Sequence, residues 1–261
     1  MLGALTTAAT GLEAQSAKIE QISNDLANVN TDGYKRGNQE FQDLMYETIK
    51  EPGGALGTNS QSPVGIQRGM GVKVGAAHKI FEQGPIRMTY HPYDLMIEGP
   101  SGFFPVQTPN GEVAYTRAGA FKIDVQGKLT TSSGAALIPQ ITIPSNAINV
   151  TVSPQGEVKA QLPQNGEAVL GQIQLVNFQN QQGLMAMGNG LYRVSPASGA
   201  PLQGIPGENG LGTILQGALE GSNVNVANSM VDMITTQRAY EMGTKIMGVA
   251  DQMLGATANI K

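Results

Sequence analysis

The sequence predicts an α+β fold in which a helix at each end of the chain brackets a β-rich middle. Three observations carry that reading. Leu5, Leu12, Ile19 and Leu26 recur every seven residues near the start. Val226, Met233, Tyr240, Met247 and Leu254 do the same near the end. The stretch between them is cut into short β-branched and aromatic runs by turn-forming pairs. With 34 Gly and 14 Pro in 261 residues the chain is too turn-rich for a helical bundle, and 40% apolar content is too high for disorder.

The N-terminal pattern has a companion series, Met1, Ala8, Gln15, Ile22 and Val29, so the two together describe a narrow coiled-coil stripe of about four heptads. About thirty helical residues reach roughly 45 Å, too long a rod for a small domain to cover alone. The stripe therefore calls for a partner helix, while Glu13, Lys18, Glu20 and Asp25 are expected to face water. Residues 1–32 are assigned to an inner domain on this basis.

At the other end, residues 217–261 supply the second helix of that domain. Met230, Ile246, Ala250 and Met253 widen its stripe, and Ser222 or Asn223 is expected to cap its start through a side-chain oxygen. Gly243 weakens the helix by about 1 kcal/mol relative to Ala. Methionines at 230, 233, 242, 247 and 253 suit either an ordinary core or a helix that packs against several non-identical neighbours, as filament subunits do.

Between the helices, residues 76–216 form a β-rich outer domain of irregular antiparallel type. Its strand candidates are Ile86 to Tyr90, Val113 to Arg117, Phe121 to Val125, Ile148 to Val152 and Ile173 to Phe178. Turn signals at Asn110-Gly111, Gln126-Gly127, Pro154-Gln155-Gly156, Asn165-Gly166 and Asn189-Gly190 separate them. Residues 33–75 form a connector with a long extended stretch, because 51–71 is rich in Gly, Ser, Asn and Gln and has little periodicity.

Composition excludes several function classes. A net charge of -4 and a pI near 5.2 leave no basic footprint for nucleic acid. Without Cys there is no disulfide framework, thiolate metal site or thiol nucleophile, and only His78 and His91 offer imidazole chemistry. No apolar run is long enough to span a membrane. The first residues lack a basic leader and carry Glu13, so they are read as part of the mature chain rather than as a cleaved signal.

Motifs for chemistry are weak. Gly69, Gly71 and Gly75 miss the dinucleotide-binding spacing and precede no helical pattern. His91 and Asp94 lack a nucleophile elbow, since Gly99-Pro100-Ser101-Gly102 is not G-x-S-x-G. Asp94, Glu98 and Asp124 have no separation fixed by sequence for glycoside hydrolysis. Asn149-Val150-Thr151 matches a sequon common by chance. No catalytic, cofactor-binding or metal-binding residue is assigned.

Longer motifs are more specific. SNDLANVNTDGYKR, Ser23 to Arg36, resembles the N-terminal signature of the bacterial flagellar rod and hook family, with Asn24, Leu26, Asn28, Gly33, Tyr34 and Lys35 carrying the match. GALEGSNVNVANSMVDMITTQRAYE, Gly217 to Glu241, followed by DQMLGATANI, Asp251 to Ile260, resembles its C-terminal signature through Ser222, Asn223, Val224, Gln237, Arg238 and Tyr240. YDLMIEGPSGFFPV, Tyr93 to Val106, and AYTRAGAF, Ala114 to Phe121, agree in the middle. The LE-x-SNVN wording is nearest to the distal-rod branch. Asp25, where Asn is frequent, Ala118, where Asp is usual, an extra residue between Gly99 and Gly102, and Gly243 depart from the pattern.

The resemblance implies a subunit that polymerises into a straight, hollow helical drive shaft, transmitting torque from motor to hook and letting export substrates pass. Its implied partners are further copies of itself, neighbouring proximal-rod and hook proteins, surrounding peptidoglycan and outer-membrane ring proteins, and the flagellar type III export apparatus. The implied location is the periplasmic rod of the basal body, reached without a cleaved signal. Leu5, Leu12, Ile19, Ile22, Leu26 and Val29 are expected to pack against Met233, Tyr240, Met247 and Leu254, within or between subunits. Shortening Gly53 to Gln61 is expected to loosen the rod towards hook-like curvature. A proximal-rod or hook subunit is the nearest alternative, and a secreted β-rich enzyme or adhesin a remote one.

Overall fold

A computed structural model describes residues 2–51, 55–57, 60–61, 64–163 and 166–258. Met1, Asn165, the end of the C-terminal signature from Asn259 to Ile260, and Gly53 with other parts of the 53–61 stretch lie outside the described residues. The described residues form two long helices, α1 at Leu2–Ala27 and α2 at Val226–Ala258, with β-structure between them. It divides into two compact units. One comprises Met1–Leu26, Gly37–His78 and Val226–Lys261, and the other Ala27–Arg36 and Lys79–Asn225.

In the first unit the stretch read as a connector is an antiparallel ribbon. Gly37–Asp43 pairs with Val72–Lys79, Glu47–Lys50 with Ile66–Arg68, and Ala55–Gly57 with Ser60–Gln61. Nested pairing of this kind needs no hydrophobic alternation, because each backbone group finds its partner across the ribbon. That is why periodicity gave no sign of it.

The ribbon's root packs on part of α1's polar side, which withdraws Asp25 from water while Glu13 and Glu20 stay exposed as expected. Ala14 is buried, and Asp25 is buried with both carboxylate oxygens accepting the Gly37 N–H, at 3.1 and 3.2 Å. Gln39 Nε2 donates to the Ala17 carbonyl, and the Val72 N–H reaches Thr10 Oγ1. The short side chains at 10, 14 and 17 let the strands approach the helix closely.

α2 begins at Val226, later than a cap at Ser222 or Asn223 would allow. Ser222 Oγ instead accepts from the Val224 N–H two residues on, and Asn223 joins other backbone segments. Along α2 the described residues turned from solvent are Ser229, Met233, Thr236, Ala239, Gly243, Met247, Ala250 and Leu254, with Thr236 and Ala250 buried. The companion series of Met233, Met247 and Leu254 is therefore made of small residues, of which Ala250 was expected. Met230, Ile246 and Met253 are half exposed.

The second unit is built around a seven-stranded antiparallel sheet. Its strand order is Lys122–Ile123, Leu129–Thr130, Ala136–Leu137, Phe104–Gln107, Val113–Thr116, Leu191–Arg193, Met185–Gly188. Each of the five strand candidates contains a strand. Asn189 and Gly190, both at positive φ (54° and 70°), form the turn between the last two strands of the sheet, matching the sheet's twist. A three-stranded sheet, Asn149–Val152, Glu157–Gln161 and Glu167–Gln172, adjoins it. Leu95, Ile97, Phe104, Val106, Phe121 and Ile173 lie in one core cluster. A second cluster joins Phe81, Phe103, Tyr115, Phe178 and Tyr192 through edge-to-face ring contacts 4.9–6.1 Å between centroids.

Candidate functional site

Within the second unit, three motifs far apart in sequence converge. Asp32-Gly33-Tyr34-Lys35 comes from the N-terminal signature, Thr116-Arg117-Ala118 from the middle, and Glu220-Gly221-Ser222-Asn223 from the C-terminal signature. Strand Ala218–Glu220 pairs with Ile86–Met88, which brings Glu220 into the interior. Glu220 Oε1 accepts from Lys35 Nζ at 2.6 Å and from the Gly84 N–H at 3.0 Å, and its backbone carbonyl accepts from the Gly33 N–H at 2.7 Å. Arg117 Nη1 stands 3.6 Å from Glu220 Oε2, and all three charged side chains have no solvent exposure.

Neutral acceptors complete the cluster. Lys35 Nζ also donates to the Glu82 carbonyl, and the Arg117 guanidinium to the carbonyls of Gly99 and Pro100. The guanidinium carbon lies 5.6 Å from the centre of the Phe103 ring. Burial pushes the Lys35 ammonium below its ordinary value, and the Glu220 charge pulls it part of the way back. Arg117 is lowered by burial and supported by Glu220 in the same way. Tyr192 is pushed up to about 12, first by burial and then by the Glu220 charge, with Arg117 opposing.

Gly33 and Asn223 fix the backbone around this cluster. Gly33 has φ of 70°, and a Cβ there would lie 2.6 Å from the Ala118 nitrogen, so both conformation and space require glycine. Asn223 Oδ1 accepts from the Arg36 N–H at 2.7 Å, while its Nδ2 donates to the carbonyls of Ile80 and Glu82. Tyr34 offers its carbonyl to the Asn223 N–H, and its hydroxyl accepts from Lys79 Nζ. Gly33, Lys35, Ser222 and Val224 are buried. Asn24, Gln237 and Arg238, by contrast, lie on exposed helix surface.

In the first unit α1 and α2 touch where Leu12 faces Gly243. A Cβ on Gly243 would lie 2.7 Å from Leu12 Cδ2. Beside this contact an apolar groove of about 620 Å³ runs between the helices, lined by Ala4, Ala8 and Gly11 from α1 and by Ala239, Met242 and Ile246 from α2. Leu5, Leu12, Ile19, Leu26 and Val29 are partly buried and Ile22 is buried, while Val226 and Tyr240 are exposed at 40% and 39%.

The residues weighed for chemistry are scattered. His91 Nδ1 lies 3.7 Å from Asp94, whose other oxygen accepts from Thr89 Oγ1. Glu98 accepts from Thr213, and Asp124 accepts from the Val125 N–H. His78 faces Glu40 at 3.9 Å. Among the described residues no group of His, Asp and Glu side chains could hold a metal ion. Likewise, no helix there is long and apolar enough to cross a membrane.

The converging motifs coincide with the segments that known proteins share with this chain. The model described as "Flagella basal body rod protein" matches residues 5–35, "Flagellar hook protein FlgE/F/G D1 domain" residues 96–160, and "Flagellar basal body rod FlgEFG protein C-terminal" residues 215–260. The flagellar basal-body rod protein FlgG of Caulobacter vibrioides is 46% identical over 260 residues, covering 99% of both chains. The chain belongs to the FlgG family of flagellar basal-body rod proteins. FlgG of Buchnera aphidicola from Acyrthosiphon pisum is 45% identical over 97% of this chain and 98% of its own. FlgG of Borreliella burgdorferi is 42% identical, covering 100% and 99%. Lys35, Arg117 and Glu220 each fall inside one of the three FlgG-family segments that the sequence singled out, yet their mutual contact has no local signal.

Proposed function

We propose that this FlgG-family chain is a structural subunit of the distal flagellar rod, polymerising into a straight, hollow helical shaft that carries torque from motor to hook. Its work is contact rather than catalysis. The single observation that carries the reading is full-length similarity to FlgG proteins, with the N- and C-terminal signatures joined in one buried cluster.

In this reading the terminal helices, residues 1–32 and 217–261, form a coiled-coil inner domain lining the channel. Residues 76–216 form the outer domain, and 33–75 lies between them. Leu5, Leu12, Ile19, Ile22, Leu26 and Val29 pack on the seam of Met233, Tyr240, Met247 and Leu254, with Val226 at its start, within one subunit or between neighbours. Support comes from the Leu12–Gly243 contact and from the small residues Ser229, Thr236 and Ala250, which allow a close helix approach. Further copies of the chain are the first partners. Proximal-rod and hook proteins, ring proteins around the shaft and the export apparatus complete the set.

A charge on the seam tests this reading. Burying a Leu-sized side chain is worth about 1.5–3 kcal/mol, which Leu12→Asp forfeits at every contact in the polymer. Cells carrying Leu12→Asp in place of the native chain are expected to make the subunit but to lack hooks. Normal hook numbers would contradict the seam assignment.

A further inference from the structure

We infer that the Lys35–Arg117–Glu220 cluster makes closure of the β-rich unit conditional on arrival of its C-terminal strand. Its members stand at positions 35, 117 and 220, and a chain emerges N-terminus first during synthesis. When the seven-stranded sheet is already available, both cations are present and their carboxylate is not.

The geometry leaves those cations no substitute. Apart from Glu220, the partners of Lys35 and Arg117 among the described residues are the carbonyls of Glu82, Gly99 and Pro100. The Glu82 carboxylate is mostly exposed and faces Arg36 at 3.7 Å. Among the described residues Glu220 is the carboxylate in direct contact with both cations, and it also receives the buried Gly33 and Gly84 N–H groups. Closing the unit without it would bury two cations with no counter-charge in contact and two amides with no acceptor, so the partly emerged chain stays open. Docking of Ala218–Glu220, all of it buried, removes the four deficits in one step. The device thus keeps the chain unlocked until almost all of it is available, whatever its later assembly.

Pulsed hydrogen exchange during refolding of the full chain from denaturant tests this. In the native sequence, amides of Phe104–Gln107 and Val113–Thr116 are expected to gain protection in the same kinetic phase as those of Ala218–Glu220. In a neutral triple variant, Lys35→Met with Arg117→Leu and Glu220→Leu, the sheet amides should become protected at least tenfold sooner than the C-terminal strand. Earlier sheet protection in the native sequence, or a single shared phase in the triple variant, would overturn the inference. Should the triple variant not refold, Glu220→Gln in the full chain decides. Loss of protection across both the sheet and the strand supports the device, and loss confined to Ala218–Glu220 overturns it. Arg87→Ala, which removes only the surface pair with Asp32, should leave the phases unchanged.

Discussion

Lys35 Nζ and Glu220 Oε1 lie 2.6 Å apart, fully buried, although 185 positions separate them in the chain. A buried ion pair adds little net stability over a well-packed apolar pair, but breaking one is costly because the survivor remains charged and dry. Glu220→Gln is therefore expected to lower the unfolding free energy by about 3–5 kcal/mol, a large part of the roughly 5–15 kcal/mol typical of a domain. The neutral triple change Lys35→Met with Arg117→Leu and Glu220→Leu, which leaves none of the three charges dry and unpaired, should cost less than Glu220→Gln alone. Urea titration of the two variants checks both statements.

Gly33 is held by conformation and by space at once. With φ of 70° and the Ala118 backbone 2.6 Å from where a Cβ would sit, Gly33→Ala must displace main chain rather than a side-chain tip. Backbone strain of this kind costs of the order of 1–3 kcal/mol. The expected outcome is a lower thermal midpoint, whereas Gly111→Ala, with nothing within 4 Å, isolates the conformational part of the cost.

Gly243 presents the opposite balance. Ala there gains about 1 kcal/mol of helix propensity, and its methyl meets only the flexible end of Leu12, so Gly243→Ala should be near neutral. Gly243→Leu overfills the contact and should weaken helix pairing, and adding Leu12→Ala should recover part of the loss. A double-mutant cycle read by thermal unfolding measures that coupling.

Alkaline pH probes the cluster through Tyr192, pushed up to about 12 from 10.0. Between pH 10 and pH 12 the unfolded chain gives up this proton while the native chain keeps it. The stabilisation, complete below pH 10, is thus lost as pH rises, by roughly 3 kcal/mol in all. Tyr115, also raised by burial, acts in the same direction. Lys35 acts oppositely below its ordinary 10.5, since its lowered value means that the unfolded chain holds the proton longer. Urea titrations from pH 9 to pH 12 should show a shallower decline in Tyr192→Phe than in the native chain.

Periodicity exposed what repeats and missed what does not. The heptads of Leu5, Leu12, Ile19 and Leu26 mark α1 because apolar side chains recur on one helical edge. On α2 the companion positions Ser229, Thr236 and Gly243 gave no hydrophobic signal, since their role is to be small, and Ala250 alone of that series showed in the apolar pattern. Asn-Gly and Gln-Gly pairs marked turns, yet the ribbon from Gly37 to Lys79 was hidden because its pairing uses backbone rather than alternating side chains. Ser222 and Asn223 have the chemistry of helix caps, but Ser222 closes a local turn onto Val224 and tertiary contacts claim Asn223. The charged cluster was least legible. Lys, Arg and Glu default to the surface, and nothing local to position 35, 117 or 220 announces partners a hundred residues away.

Electron microscopy of basal bodies from cells lacking this chain, beside cells with it restored, tests the rod assignment most directly. Rods in the deletion should stop short at the proximal section and carry no hooks, with full rods and hooks returning on restoration. Intact rods and hooks in the deletion would contradict that assignment.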